Sequence, residues 1–155
     1  AFTVVDDVLR QGIQGIADII TLHCPYNQNT HHLIHNGNIH LVKKGAYLVN
    51  TARGAIVETE AIVGALKEGI LAGYGADVLE EEGETKDELT ILALGHPHEE
   101  ELKTMLRNHI LMKMPNVLIT PHNAFNSQEA LERILHTTIE NIRGFMEGKP
   151  VNLVQ

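Results

Sequence analysis

Several residue types that mark particular protein classes are scarce in this sequence. Its 155 residues include one cysteine, no tryptophan and only 4% aromatic residues. Because Cys24 stands alone, an internal disulfide is impossible, which fits a reducing compartment. The formal net charge is -8, and such a surface repels phosphate backbones. With no Lys/Arg run and no aromatic ladder to stack bases, we expect no nucleic-acid partner.

Long hydrophobic runs are also missing. No apolar stretch approaches the twenty or so residues that a transmembrane helix needs, so we expect no membrane association. The first seven residues lack the basic start and apolar stretch of a signal peptide, which favours a cytoplasmic location. The hydrophobic content of 43% is enough for one domain with a real core, and the length is too short for two comfortable ones.

Short apolar runs alternate with amphipathic segments along the chain. The predicted strands cover 16–24, 46–51, 72–78 and 116–120. The predicted helices cover 5–14, 36–44, 59–68, 99–107 and 128–147, and an acidic loop covers 80–88. This order is typical of an α/β fold, and it predicts a parallel sheet that is covered on both sides.

Polar residues follow each predicted strand, at the edge where open α/β sheets bind ligands. These positions are Cys24 and Pro25, the segment 51–54, Asp77 with Glu80–Glu82, and the segment 121–123. A guanidinium can hold a carboxylate through two hydrogen bonds, and a histidine can exchange a proton near neutral pH. A carboxylate beside that histidine would raise its pKa. The set suits a substrate that carries a carboxylate.

Several separated segments resemble one family, the D-isomer-specific 2-hydroxyacid dehydrogenases. The resemblance runs from about residue 16 to residue 150 and lies in the segments 18–25, 29–34, 44–54, 75–78 followed by Glu82, and 116–124. It implies hydride transfer between NAD(H) and a 2-oxo or D-2-hydroxy acid. Phe125, and the long segment between Glu82 and His122, resemble the D-lactate dehydrogenase branch more than the phosphoglycerate or formate branches.

The resemblance also implies roles for individual residues. Arg53 matches the arginine that orients the substrate carboxylate and polarises its carbonyl. His122 matches the acid/base, and Glu82, five residues after Asp77, matches the carboxylate that pairs with this histidine. The positions that match cofactor contacts are Cys24, Pro25, Thr30, Thr51, Ala52, Arg53 and Asp77.

Parts of the family pattern are missing. The chain has no Gly-x-Gly-x-x-Gly turn, since its only Gly-x-Gly, at Gly73–Gly75, has Val78 where the third glycine would fall. The acidic residue that grips the adenosine ribose and the substrate domain are missing as well. We therefore expect residues 1–155 to form a single partial NAD-binding domain: a partial Rossmann-like doubly wound sheet, made of the second mononucleotide-binding half and the closing helix.

A chain without its central strand would expose the edge of the strand at 16–24. Such an edge invites pairing with another chain, so we expect a homo-oligomer or a complementing fragment. We also expect the chain alone to be weak or inactive as an enzyme. An alternative function for the same fold is a non-catalytic NAD(H)-sensing or protein-interaction module, since such relatives can keep Arg53, Glu82 and His122.

Other chemistries have weaker signals. Four histidines at positions 31, 32, 35 and 40 are dense, but no cysteine accompanies them and their spacing does not indicate a metal site. Ser127 is the only serine and has no nucleophile-elbow motif around it, which argues against a serine hydrolase. Cys24 follows an apolar strand, where packing as a small apolar group is the more common role.

Overall fold

The computed structural model describes residues 16–80 and 99–153. The strands are β1 (Ile19–Leu22), β2 (Ala46–Asn50), β3 (Leu71–Ala76) and β4 (Val117–Ile119). The α-helices are α1 (Thr59–Lys67), α2 (Glu99–Lys113) and α3 (Gln128–Met146), and two 3₁₀ turns span Ile39–Leu41 and Gly54–Ile56. The chain divides into two compact units, one up to His122 and one from Asn123 onward.

The first unit is built on a four-stranded parallel sheet. The strand order is β1-β2-β3-β4, and every neighbouring pair is parallel. The predicted α/β class and parallel sheet are therefore confirmed. Within the described part of the chain β1 pairs only with β2, so it forms one edge of the sheet, as the sequence predicted. All four carboxyl ends lie on the same side, which brings the polar residues after the strands to one edge.

The two faces of this sheet differ in burial. One face carries Ile20, Leu48 and Tyr74, which are buried, and α1 and α2 pack together beside β3 and β4. On the other face Ile19, Tyr47 and Leu118 are 67%, 53% and 70% exposed. The prediction of a sheet covered on both sides therefore holds for one face, whereas the described residues leave these three side chains of the other face open.

Residues 36–44 do not form the predicted α-helix. Only a 3₁₀ turn at Ile39–Leu41 is present, and the chain is already extended at Val42. The side chain of Asn38 explains this, because it accepts a hydrogen bond from the His35 amide and donates one to the Leu33 carbonyl, both at 2.9 Å. Asparagine side chains that bond nearby backbone in this way compete with helical hydrogen bonds.

The remaining element predictions differ mainly at their ends. Helix α1 confirms the prediction for 59–68, whereas α2 runs six residues beyond the predicted end at Arg107, to Lys113. All four predicted strands are present and shorter than predicted. The predicted helix at 5–14 and positions 81–88 of the predicted acidic loop lie outside the described residues.

The second unit consists mainly of α3. Ser127 caps the helix, since its Oγ accepts a hydrogen bond from the Ala130 amide at 3.2 Å. The helix has no buried residue, and its apolar side chains, such as Ile139 and Phe145, are exposed. Neither α3 nor any other helix of the described ranges has the length and apolarity needed to cross a membrane.

Candidate active site

The turn after β2 carries Arg53 and is fixed by the buried side chain of Asn50. The Asn50 Nδ2 donates to the carbonyl of Arg53 at 2.9 Å, and its Oδ1 accepts from the amide of Ala52 at 3.1 Å. Asn50 is 0% exposed, so these bonds are shielded from water. They hold the turn while leaving the side chains of Thr51 and Arg53 exposed at the sheet edge. Arg53 Nη1 donates to the Ala52 carbonyl at 2.7 Å.

The ends of β3 and β4 are joined through Asp77, which is 4% exposed. Its amide donates to the carbonyl of Asn50 at 2.9 Å, and its Oδ1 accepts from the hydroxyl of Thr120 at 2.5 Å. The Thr120 amide in turn donates to Ala76 at 2.9 Å. Asp77 therefore links the ends of three neighbouring strands, β2, β3 and β4.

His122 follows directly on this link. Its side chain is exposed, and its amide donates to the Thr120 carbonyl at 3.0 Å. Its φ angle is 51°, a left-handed conformation that residues other than glycine adopt rarely and that clusters at functional positions. The structure thus places Arg53, Asp77 and His122 at the carboxyl ends of β2, β3 and β4, on one edge of the sheet.

The predicted cofactor residues after β1 lie in a tight loop. The hydroxyl of Thr30 donates to the carbonyl of Pro25 and accepts from the amide of Asn27, both at 2.8 Å. Thr30 is 7% exposed, so it shapes this loop from inside. Pro25 is exposed, and Cys24 is partly buried against the core as a free thiol. Their contact with a cofactor stays a prediction.

Glu80 departs from the expected solvated acidic loop. It is 8% exposed, and its Oε2 accepts from both the amide and the hydroxyl of Thr59, at 2.9 and 2.7 Å. Its Oε1 lies 2.5 Å from Nε2 of His32. Nothing in the sequence distinguishes Glu80, because it belongs to a run of three glutamates. Glu82, the predicted partner of His122, lies outside the described residues.

Gly54 was also missed as a determinant of the site. A Cβ at this position would lie 2.0 Å from the carbonyl carbon and oxygen of Leu79 and 2.4 Å from the amide nitrogen of Glu80. Only glycine allows this approach of the Arg53 turn to the segment after β3. The signal was present in the sequence, since a glycine directly follows the arginine at a predicted strand end.

Tyr74 is a buried titratable group beneath the site. Desolvation by burial raises the pKa of its phenol well above the ordinary value, and Glu80 raises it further, while a hydrogen bond with Asn50 lowers it. The hydroxyl therefore stays neutral at physiological pH. It serves as a polar partner for Asn50 in the core, and we assign it no part in proton transfer.

The polar groups at these strand ends offer both hydrogen-bond donors and acceptors to a ligand. Carboxylate, threonine hydroxyl and guanidinium groups stand at the strand ends, where doubly wound folds bind dinucleotides. The hydrogen bond from Thr120 orients the Asp77 carboxylate at these strand ends. Within the described ranges no group of three or more histidine, cysteine, aspartate or glutamate side chains could hold a metal ion.

Comparison with known proteins identifies the family of this chain. Residues 5–124 match the family model of the D-isomer specific 2-hydroxyacid dehydrogenase, NAD binding domain. The 2-hydroxyacid dehydrogenase A of Aspergillus oryzae is 38% identical over 94% of this chain. A 2-hydroxyacid dehydrogenase homolog of Zymomonas mobilis is 38% identical over 96%. The chain spans 38% and 41% of the length of these two relatives.

A solved structure shares the fold. The D-lactate dehydrogenase of Aquifex aeolicus, solved with NAD and lactic acid, has a TM-score of 0.74 and 36% identity, and the match covers 95% of this chain and 41% of that one. The family model alone covers most of the sequence. The chain therefore belongs to the D-isomer-specific 2-hydroxyacid dehydrogenase family, in the part that forms the NAD-binding domain.

Proposed function

We propose that this chain carries the substrate-polarising and proton-transferring edge of an NAD-dependent D-2-hydroxyacid dehydrogenase, in a single partial NAD-binding domain. The observation that carries the proposal is the Asn50 side chain, which fixes the turn of Arg53 and leaves the guanidinium exposed at the strand edge. The reaction is the reduction of a 2-oxo acid by NADH and a proton to a D-2-hydroxy acid and NAD, and its reverse.

Each of the chain's own residues has a defined task in this reaction. The guanidinium of Arg53 binds the substrate carboxylate and draws electron density from the neighbouring carbonyl. A ring nitrogen of His122 donates a proton to the carbonyl oxygen during reduction and takes it back during oxidation. Glu82 stabilises the charged imidazole. When bound, the dinucleotide supplies or accepts the hydride; Asp77 and the neighbouring backbone would hold its nicotinamide end.

Within this reaction a small substrate such as pyruvate is favoured. Phe125 and the long segment before His122 resemble the D-lactate branch, and the similarity to a D-lactate dehydrogenase supports the same choice. A cytoplasmic location and a homo-oligomeric state stay predictions. The non-catalytic alternative is not favoured, because the matched relatives are named as dehydrogenases.

The proposal is tested by steady-state reduction of pyruvate and longer 2-oxo acids, followed through NADH absorbance, with the protein as its gene encodes it. We expect Arg53→Lys to lower kcat/KM about 10²- to 10³-fold, because a lysine cannot form the paired hydrogen bonds. We expect His122→Asn to lower kcat about 10²- to 10⁴-fold with little change in the dissociation constant for NADH.

Matched controls separate these losses from general damage. Arg133→Lys and His136→Asn make the same changes on the exposed surface of α3 and should leave both constants within about twofold. NADH binding without turnover of any 2-oxo acid by the unaltered protein would contradict the proposal and favour a sensing module. Full activity of Arg53→Lys would contradict the role of Arg53.

A further inference from the structure

Glu80 joins three segments that carry the proposed site residues. Its carboxylate binds Thr59 at the start of α1, six residues after Arg53, and His32 in the loop that follows Thr30. Glu80 itself lies three residues after Asp77. A single buried carboxylate therefore connects the loop after β1, the start of α1 and the segment after β3.

The contacts of this carboxylate fill most of its bonding capacity. Oε2 accepts from the amide of Thr59 at 2.9 Å and from its hydroxyl at 2.7 Å. Oε1 lies 2.5 Å from Nε2 of His32, whose side chain is 32% exposed. An ionised carboxylate accepts through both oxygens and donates through neither. Thr59 supplies two donors to this carboxylate, its amide and its hydroxyl. His32 supplies a third when its Nε2 carries the proton.

The backbone of Glu80 also has buried contacts. Its carbonyl accepts from Nδ2 of Asn108 at 2.8 Å, and Asn108 is 5% exposed. On the other side Gly54 leaves no room for a Cβ against the Glu80 amide. The backbone of Glu80 is therefore bound to α2 and packed against the Arg53 turn.

The bond to Thr59 also serves the start of α1. The first amides of a helix have no partner within it, and Glu58, at the N-cap, makes no side-chain capping bond. The Glu80 carboxylate supplies an acceptor there, at the end where the helix dipole favours negative charge. The chain between Arg53 and Thr59 is thus tied at its far end, while Asn50 ties its near end.

The loop that contains His32 runs alongside the same stretch. The amides of His32 and Ile34 donate to the carbonyls of Ala55 and Ile56, at 2.9 and 3.2 Å, and Ile34 forms a parallel bridge with Val57. A shift of residues 55–57 would therefore also move the loop after β1. Glu80 stands at the point where this two-stranded contact meets the segment after β3.

We propose that Glu80, with His32 and Thr59 as its partners, is a positioning residue that holds the Arg53 turn in the geometry for substrate binding. It acts through Arg53 and does not touch the substrate. The inference rests on the proposed function and deepens it, because it names the buried contact that orients the guanidinium-bearing turn.

The test compares Glu80→Gln with Glu68→Gln, which neutralises an exposed carboxylate at the end of α1, in the protein as its gene encodes it. We expect Glu80→Gln to lower kcat/KM for pyruvate about 10²-fold, the loss typical of a small misplacement of a reacting group. Combined with Arg53→Lys, it should lower kcat/KM little further, because both changes disable the same contact. A merely structural role would instead multiply the two losses.

Amide hydrogen exchange gives a second readout that needs no turnover. In Glu80→Gln the amides of Ile56, Val57 and Thr59 should exchange at least about tenfold faster relative to that of Leu48 in the sheet core. If the unaltered protein reduces no 2-oxo acid, the proposed function fails. The hydrogen-exchange result then tests on its own whether Glu80 holds the chain between Arg53 and Thr59. Unchanged exchange at these amides, or multiplicative kinetic losses, would overturn the inference.

A second pair of variants covers the case in which Glu80→Gln does not fold. Thr59→Val removes the hydroxyl donor and keeps the shape, whereas Thr59→Ser keeps the donor. We expect Thr59→Val to show part of the loss of kcat/KM seen in Glu80→Gln. Thr59→Ser should keep kcat/KM close to that of the unaltered protein. Equal kinetics in the two variants would count against the positioning role.

Discussion

At the scale of single residues, Gly54 shows how tightly the Arg53 turn is packed. A Cβ there would lie 2.0 Å from the carbonyl carbon and oxygen of Leu79, and neither is the end of a flexible side chain. The clash can be relieved only by moving one backbone segment away from the other. We expect Gly54→Ala to lower the free energy of unfolding by about 3 kcal/mol, as overpacking of a fixed site does, measured by urea denaturation.

Gly64 provides the matched control. It lies inside α1, and a Cβ added there meets no atom within 4 Å. Because alanine is the better helix former, Gly64→Ala should raise the free energy of unfolding by about 0.5–1 kcal/mol. If both variants changed stability by the same amount and in the same direction, the close approach at Gly54 would not be the cause.

The residues of the site divide into those that the sequence could predict and those that it could not. Arg53 and His122 stand directly after apolar strands in a recognisable context, so their place at the sheet edge followed from topology. Glu80 did not, because burial distinguishes one glutamate in an acidic run only after α1 and α2 are packed around it. The bond between Asp77 and Thr120 depends on the pairing of β3 with β4, which local sequence does not specify.

At the scale of elements, the end of β2 depends on Asn50. Its side chain is fully buried and bonds the carbonyl of Arg53 and the amide of Ala52. Leucine has a volume similar to that of asparagine but cannot form these hydrogen bonds. We expect Asn50→Leu to lower the free energy of unfolding by about 2–3 kcal/mol, because the Arg53 carbonyl and the Ala52 amide lose their partner. Urea denaturation measures the change.

Asn29→Leu is the control for this substitution, since Asn29 is exposed in the loop after β1. Its effect should stay within about 0.5 kcal/mol. A loss at Asn50 no larger than the loss at Asn29 would show that the turn is held by other contacts.

The predicted helix at 36–44 was wrong because a side chain competes for the backbone there. Residues 36–44 have helical spacing of apolar positions, yet Asn38 bonds to His35 and Leu33 and limits the helix to one 3₁₀ turn. Hydrophobic periodicity registers only the face that is buried. It does not show that a side-chain amide, such as that of Asn38, bonds to neighbouring backbone groups. The type and order of the elements were therefore easier to predict than their ends.

For the molecule as a whole, the sheet face that carries Ile19, Tyr47 and Leu118 is the main difference from the usual α/β arrangement. Parallel sheets are almost always covered on both faces. Here Ile19, Tyr47 and Leu118 form an exposed apolar set across three strands, and β1 has one edge without a described partner strand. Exposed apolar faces and free strand edges both favour association with another chain.

We therefore expect the isolated 155-residue polypeptide to self-associate, with Leu118 in the contact. Leu118→Lys should shift the sedimentation coefficient toward that of a monomer, because a charged side chain is costly to bury. Leu118→Met keeps the apolar surface and should leave association unchanged, which makes it the control. Sedimentation velocity over a wide concentration range measures both. A monomer at every concentration in the unaltered polypeptide would contradict the prediction, and equal association of the two variants would exclude this face as the contact.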